Sequence, residues 1–218
     1  MLISELSSSS DDPNASNQAK AILSGEKTEW TYKQRRDMQL IVPGLYLGPL
    51  QAATKANFEN LLQHKISHIV CVRENKEKRF VRPNFPQNFK YLTVEVEDKP
   101  YENIMSHFGV VNSFLNDAID NGGVALVHGN AGISRSATLV IAYVMQKFEL
   151  TSHDAFICVR DRRFCINPNV GFRHQLKEYE PIYLAERDFQ DRPSSESEDC
   201  GVKRKLTEDG MDATTIMT

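Results

Sequence analysis

The chain has 218 residues and a mass of 24.8 kDa, a length that suits one domain with extensions and can bury a sizeable core. Forty per cent hydrophobic and 25% charged residues describe an ordinary soluble globular protein. A net charge of −3 and a pI of about 6.1 argue against a general nucleic-acid binder or a protein held on anionic membranes.

In chain order, residues 1–28 are rich in Ser, Asp, Asn and Ala, with no aromatic residue before Trp30. Such a segment buries too little apolar surface to offset its ordering entropy, so a disordered extension is expected there. KQRRDMQL, Lys33 to Leu40, reads as the leading segment of a domain, with Met38 and Leu40 packed and Arg35 and Arg36 solvated. It is also loosely like a kinase-docking segment. After a turn at Pro43, GLYLG (Gly44 to Gly48) reads as a short strand. A helix is predicted over Asn57 to His64, a strand over His68 to Val72 and another over Phe89 to Val96. Ile104, Phe108, Val111, Leu115 and Ala118 recur at helical spacing, and Asn121-Gly122-Gly123 closes that helix.

VALVH, Val124 to His128, is a continuous apolar run of the kind a strand covered on both faces shows. From Ser134 a helix runs through ATLVIAYVMQKF, apolar almost all round and so expected at the centre. Two further helices follow, the last after Asn167-Pro168-Asn169 with Phe172, Leu176, Tyr179 and Tyr183 on one stripe. Residues 29–190 thus form one predicted domain. Residues 191–218 read as a second disordered tail, acidic and serine-rich at PSSESED, with a short basic cluster at Lys203-Arg204-Lys205. The alternation of strand and helix predicts an α/β sandwich on a largely parallel sheet.

No apolar run approaches the roughly 20 residues a membrane span needs, and the first residues lack the pattern of a secretory signal. Cys71, Cys158, Cys165 and Cys200 are too few and too irregular for a disulfide framework. No Cys-x-x-Cys occurs and no histidine pairs with these cysteines, so neither a metal nor a cofactor is expected, and a reducing compartment is.

Chemistry concentrates in HGNAGISRSA, His128 to Ala137. A buried strand ends, a turn containing Gly129 and Gly132 follows, and a helix begins. Ligands of open α/β sheets sit beyond the carboxyl ends of strands. Consecutive N–H groups of Gly129, Asn130, Ala131, Gly132, Ile133, Ser134 and Arg135 can converge into a nest, and the helix N-terminus adds positive potential. Arg135 supplies a planar fork that matches two phosphate oxygens. Taken alone, the segment also suits an ordinary strand-to-helix turn with a surface arginine. A Walker loop is excluded, because no Gly-Lys-Ser/Thr follows.

HGNAGISRSA, together with VPGLYLG (Val42 to Gly48), AYVM (Ala142 to Met145) and RRFCINPN (Arg162 to Asn169), resembles the dual-specificity branch of the protein tyrosine phosphatase superfamily. The likeness runs from about Trp30 to Phe189 and is closest to that branch's pseudophosphatases, which carry glycine where active members carry the nucleophilic cysteine. It implies the three-layer sandwich of that family. It also implies that Gly129 stands at the nucleophile's position, Arg135 at that of the phosphoryl-binding arginine, and Asp98 at that of the general acid. By its own context Asp98 reads first as a turn or cap residue ahead of Pro100, and Glu97 becomes the relevant carboxylate if the register slips by one. His128 is expected beneath the loop, hydrogen-bonded and holding its shape. Ser134 and Ser136 are expected to satisfy loop or helix-start donors, Ser136 having lost the thiolate that its counterparts assist.

Gly129 offers no sulfur for a covalent intermediate. Cys71, Cys158 and Cys165 read as buried structural thiols, and neither Ser134 nor Ser136 has an evident general base. The resemblance implies a monomer that binds phosphoproteins or signalling proteins in cytoplasm and nucleus, with mitogen-activated protein kinases and an F-box protein as partners. Two other readings stay open: an active phosphatase with an unrecognised nucleophile, and a scaffold whose loop is vestigial.

Overall fold

The computed structural model describes residues 30–190. Both expected tails, Cys200 and Lys203-Arg204-Lys205 lie outside the described residues. Five strands form one sheet in the order β1-β2-β5-β3-β4: β1 Gln39–Val42, β2 Leu45–Gly48, β3 Ile66–Arg73, β4 Lys90–Glu95 and β5 Val124–His128. β2, β5, β3 and β4 run parallel to their neighbours, while β1 pairs antiparallel with β2. The helices are α1 Phe58–Gln63, α2 Phe108–Asp120, α3 Arg135–Phe148, α4 Ser152–Arg162 and α5 Val170–Gln190.

Strand β1 lies where the sequence reading placed only a leading segment. Leu40, expected inside, is 49% exposed, and Ile41 and Val42 are the residues that turn inward. The antiparallel partner explains it. Val42 pairs with Leu45 across Pro43-Gly44, and Gly44 sits at φ +80°, as the third position of a type II turn demands. A register irregularity between Leu40 and Val42 then lets two adjacent residues face the core. Met38 is half-buried and Arg35 and Arg36 are exposed, as expected.

The sheet separates two cores. Along β5, Ala125 and Val127 face a large core shared with α2, α3, α4 and α5, whereas Leu126 faces a smaller one with Ala52, Leu61, Ile69 and Phe89. Strand β3 follows the same alternation, with Val70 and Val72 on one face and Ile69 on the other. Its ladder with β5 slips at Ser67, whose hydroxyl restores the lost contacts by accepting from Val124 N at 3.1 Å and donating to Val124 O at 3.2 Å. Helix α3 is buried continuously from Arg135 to Met145, which explains its lack of a polar face. The α5 stripe of Phe172, Leu176, Tyr179 and Tyr183 is buried against it. This arrangement delivers the β5 terminus and the α3 N-terminus to one edge of the domain, with the loop 129–134 between them.

A candidate anion-binding loop

The loop opens into a cleft of about 430 Å³ lined by Asp98, Gly129 to Ser136, Asn167 and Asn169. A larger groove of about 520 Å³ lies beside α2, but the charges along it are paired: Asp120 with Lys147 at 2.9 Å, and Asp117 with Lys90 at 3.5 Å. The smaller cleft holds the unpaired donors.

Those donors arise because the loop's carbonyls are held from outside. Asn130 O accepts from Leu50 N at 3.1 Å, Ile133 O from Asn167 N at 2.9 Å, and Ser134 O from Thr138 N at 2.8 Å. Arg163 holds the middle, donating from Nε to Gly132 O at 2.9 Å and from Nη2 to Ala131 O at 3.2 Å. With every carbonyl from 130 to 134 turned away, the amides face the cleft. Among the described residues, the N–H groups of Asn130 to Arg135 donate to no other residue. Gly132 makes the turn possible, since its φ is +67° and a Cβ there would lie 2.4 Å from Gly48 O.

Arg163 is fully buried, and sequence reasoning missed it. Besides the loop, it donates to Asp37 O at 2.9 Å, to Arg35 O at 3.2 Å and to the Gln39 side chain. Burial lowers its pKa, and its hydrogen bonds go to neutral oxygens. A planar five-donor group can gather carbonyls from two segments in this way where lysine could not. The tandem arginines of RRFCINPN mark the position, but nothing in the sequence says which one turns inward.

Arg135 is held by a partner that sequence reasoning also missed. Its Nη1 donates to Glu77 Oε2 at 2.7 Å and to Val96 O at 3.2 Å, and Nη2 donates to Glu77 Oε1 at 3.0 Å. Burial opposes the charges of both residues, yet their pairing prevails and leaves the Glu77 carboxyl below, and the Arg135 guanidinium above, its ordinary pKa. These contacts use the end of the guanidinium. The Nε–H and the second Nη2–H, which share the side edge of the plane, remain toward the cleft, with Asp98 Oδ2 4.0 Å from Nε. Arg135 therefore keeps one complete two-donor edge.

Asp98, rather than Glu97, lines the cleft, because Glu97 pairs with Lys99 instead. Asp98 Oδ1 accepts from Ser134 Oγ at 2.7 Å and from Asn169 Nδ2 at 2.9 Å. Asn169 meanwhile caps α5, its Oδ1 accepting from Phe172 N at 3.0 Å. Of the loop or helix-start donors expected for Ser134, its hydroxyl takes none in α3; it accepts from Asn169 N at 3.3 Å ahead of α5 and donates across the cleft to Asp98. Ser136 makes no hydrogen bond among the described residues, so it is not a satisfier of loop donors either. His128 is beneath the loop and fully buried, with the Gly129 backbone beside its ring, but neither ring nitrogen makes a hydrogen bond of ordinary geometry. Burial pushes its pKa down to about 4, so it holds the loop by packing as a neutral ring.

Cys71 stands beside His128 in the β3–β5 register, yet burial pushes its thiol up to about 11. Cys158 is buried and raised likewise. Cys165, expected buried, is half-exposed. No group of three His, Cys, Asp or Glu side chains that could share a metal ion occurs among the described residues. No described helix is long and apolar enough to cross a membrane.

Residues 45–182 match the family model for the dual specificity phosphatase catalytic domain. The chain belongs to the dual specificity phosphatase family. The mouse serine/threonine/tyrosine-interacting protein is 53% identical over 162 residues, covering 74% of this chain and 73% of that protein. Human dual specificity protein phosphatase 22 is 41% identical over 143 residues, 66% of this chain and 73% of that one. Among solved structures, the human tyrosine phosphatase-like serine/threonine/tyrosine-interacting protein superposes with a TM-score of 0.68 at 53% identity. That match spans 68% of this chain and 99% of the solved one. The fold of the described domain is thus the three-layer phosphatase sandwich, with one antiparallel edge strand.

Proposed function

We propose that this chain grips phosphorylated protein partners at the loop Gly129–Arg135 and does not cleave them. One observation carries the reading: the loop presents a row of unpartnered amides and an intact Arg135 edge around Gly129, which has no side chain. Anion recognition and covalent chemistry are separable in this fold, and only the first has its atoms here. Removing the sulfur also removes a repulsion. A thiolate and a phosphate dianion ~4 Å apart repel by about 8 kcal/mol gross at an effective dielectric of ~20. Ordering an additional glycine costs only about 1 kcal/mol.

The reading that another nucleophile sustains turnover is weakened by the raised pKa of Cys71, whereas the carboxylate that Ser134 donates to, Asp98, also accepts from Asn169. The name of the mouse and human relatives, serine/threonine/tyrosine-interacting protein, supports the binding reading. Mitogen-activated protein kinases and an F-box protein are the partners we propose from the family resemblance, met by a monomer in cytoplasm and nucleus.

The test is titration of wild type and Arg135→Ala with phosphoserine, phosphothreonine and phosphotyrosine peptides. Removing a charged two-donor contact weakens binding by about 10- to 100-fold. Equal affinity in the two proteins sinks the loop as the site. Partner capture that survives Arg135→Ala points instead to a scaffold using another face.

A further inference from the structure

A Cβ built on Gly129 lies 3.3 Å from Ser136 Oγ and 3.3 Å from Val72 O, and touches nothing closer. Gly129 and Ser136 both line the cleft. Ser136 is only 2% exposed, and its hydroxyl has no hydrogen-bond partner among the described residues. A hydroxyl that lines a cleft without a protein partner is free to bond a group entering there. The loop's other groups divide differently: the carbonyls of residues 130 to 134 are satisfied, and the Ser134 hydroxyl donates to Asp98 and accepts from Asn169 N.

We infer that Ser136 is an anion ligand on the floor of the cleft, and that the missing side chain at Gly129 is what exposes it. The inference rests on the phosphate-binding reading above and adds a named donor to it. An anion oxygen entering over Gly129 accepts from Ser136 Oγ–H. Any larger residue at position 129 covers Ser136 and returns it to a supporting role. The glycine then has a positive function beyond the absence of a nucleophile: it admits the phosphoryl group to a donor that a side chain would screen.

The experiment is calorimetric titration of the full chain with phenyl phosphate and with inorganic phosphate. Wild type is compared with Ser136→Ala, Gly129→Ala, the double variant Gly129→Ala/Ser136→Ala, and Arg135→Ala. Ser136→Ala weakens binding about tenfold, the usual effect of one hydrogen bond to a charged group. Gly129→Ala weakens it by a similar factor, and Ser136→Ala adds nothing further in that background. A Ser136 that merely braced the loop would lower affinity equally with or without the alanine at 129, and that result overturns the inference. So does wild-type affinity in Ser136→Ala while Arg135→Ala abolishes binding, which leaves the parent reading intact. If Ser136→Ala fails to fold, Gly129→Ala alone decides, and unchanged affinity there rejects the role. Failure of wild type to bind either compound rejects both readings together.

Discussion

At the residue scale, two glycines of one loop are glycine for opposite reasons. Gly132 is required by the backbone, with φ at +67° and Gly48 O, Gly48 C and the Arg163 guanidinium crowding the place of its Cβ. Gly129 has no left-handed φ, and a Cβ would meet its neighbours no closer than 3.3 Å. A side chain therefore fits at 129 once Ser136 and Val72 yield a few tenths of an ångström. Gly129→Cys should fold and hydrolyse p-nitrophenyl phosphate at least about a hundredfold faster than wild type, since the arginine and the aspartate are already placed. Replacing Asp98 by Ala in that variant should lower the rate again by about 100-fold. A folded but inert Gly129→Cys would show that more than sulfur is lacking. The sequence made Gly129, Arg135 and Asp98 legible because each sits in a recognisable string. Glu77 and Arg163 were not legible, because their partners lie far along the chain: Glu77 bonds Arg135 58 positions away, and Arg163 bonds Asp37 126 positions away.

At the element scale, the position of Asp98 is a property of α5. Pro100 O lies 1.7 Å from where a Cβ on Gly171 would stand, so the segment after β4 rests directly on the first turn of that helix. Gln175 holds the far side, its Nε2 donating to Glu102 O at 2.7 Å and its Oε1 accepting from Met105 N at 3.0 Å. Gly171→Ala should force the two apart and cost about 2–3 kcal/mol of stability in urea unfolding. In the Gly129→Cys background it should also depress turnover, because Asp98 leaves the cleft. Unchanged stability would mean that the contact opens without cost. Most elements here were predictable from periodicity, since α2, α3 and α5 are long and their buried stripes repeat regularly. Strand β1 escaped because four residues carry too little pattern, and its inward face depends on a partner strand and a register irregularity.

At the scale of the whole molecule, burial of titratable groups sets the pH at which the domain is stable. Burial pushes His128 down to about 4 in the folded state, from the 6.5 of an ordinary imidazole. His68 is lowered as well, by burial and then by Lys90, although Asp117 opposes the shift. The unfolded chain binds these protons first, so the stabilisation is complete above about pH 6.5 and is lost as pH falls toward 4. Unfolding free energy should drop by about 1 kcal/mol between pH 7.5 and pH 5.5 from His128 alone. His128→Gln should flatten that slope, and a slope unchanged in the variant would place the lost protons elsewhere. Below the histidine range, the depressed carboxyl of Glu77 acts in the same direction, and protonating it releases Arg135.

The sequence by itself determined the family, the α/β alternation and the loop with glycine at position 129, because these are written in contiguous residues whose spacing is local. Only the tertiary structure decided which way the loop's amides face, which edge of Arg135 stays free, and that Ser136 lines the floor. Those outcomes depend on carbonyls held by Leu50, Arg163 and Asn167 and on a carboxylate from Glu77. Such contacts exist only once distant segments have been brought together by burial of the two cores, and no local spacing in the chain encodes them.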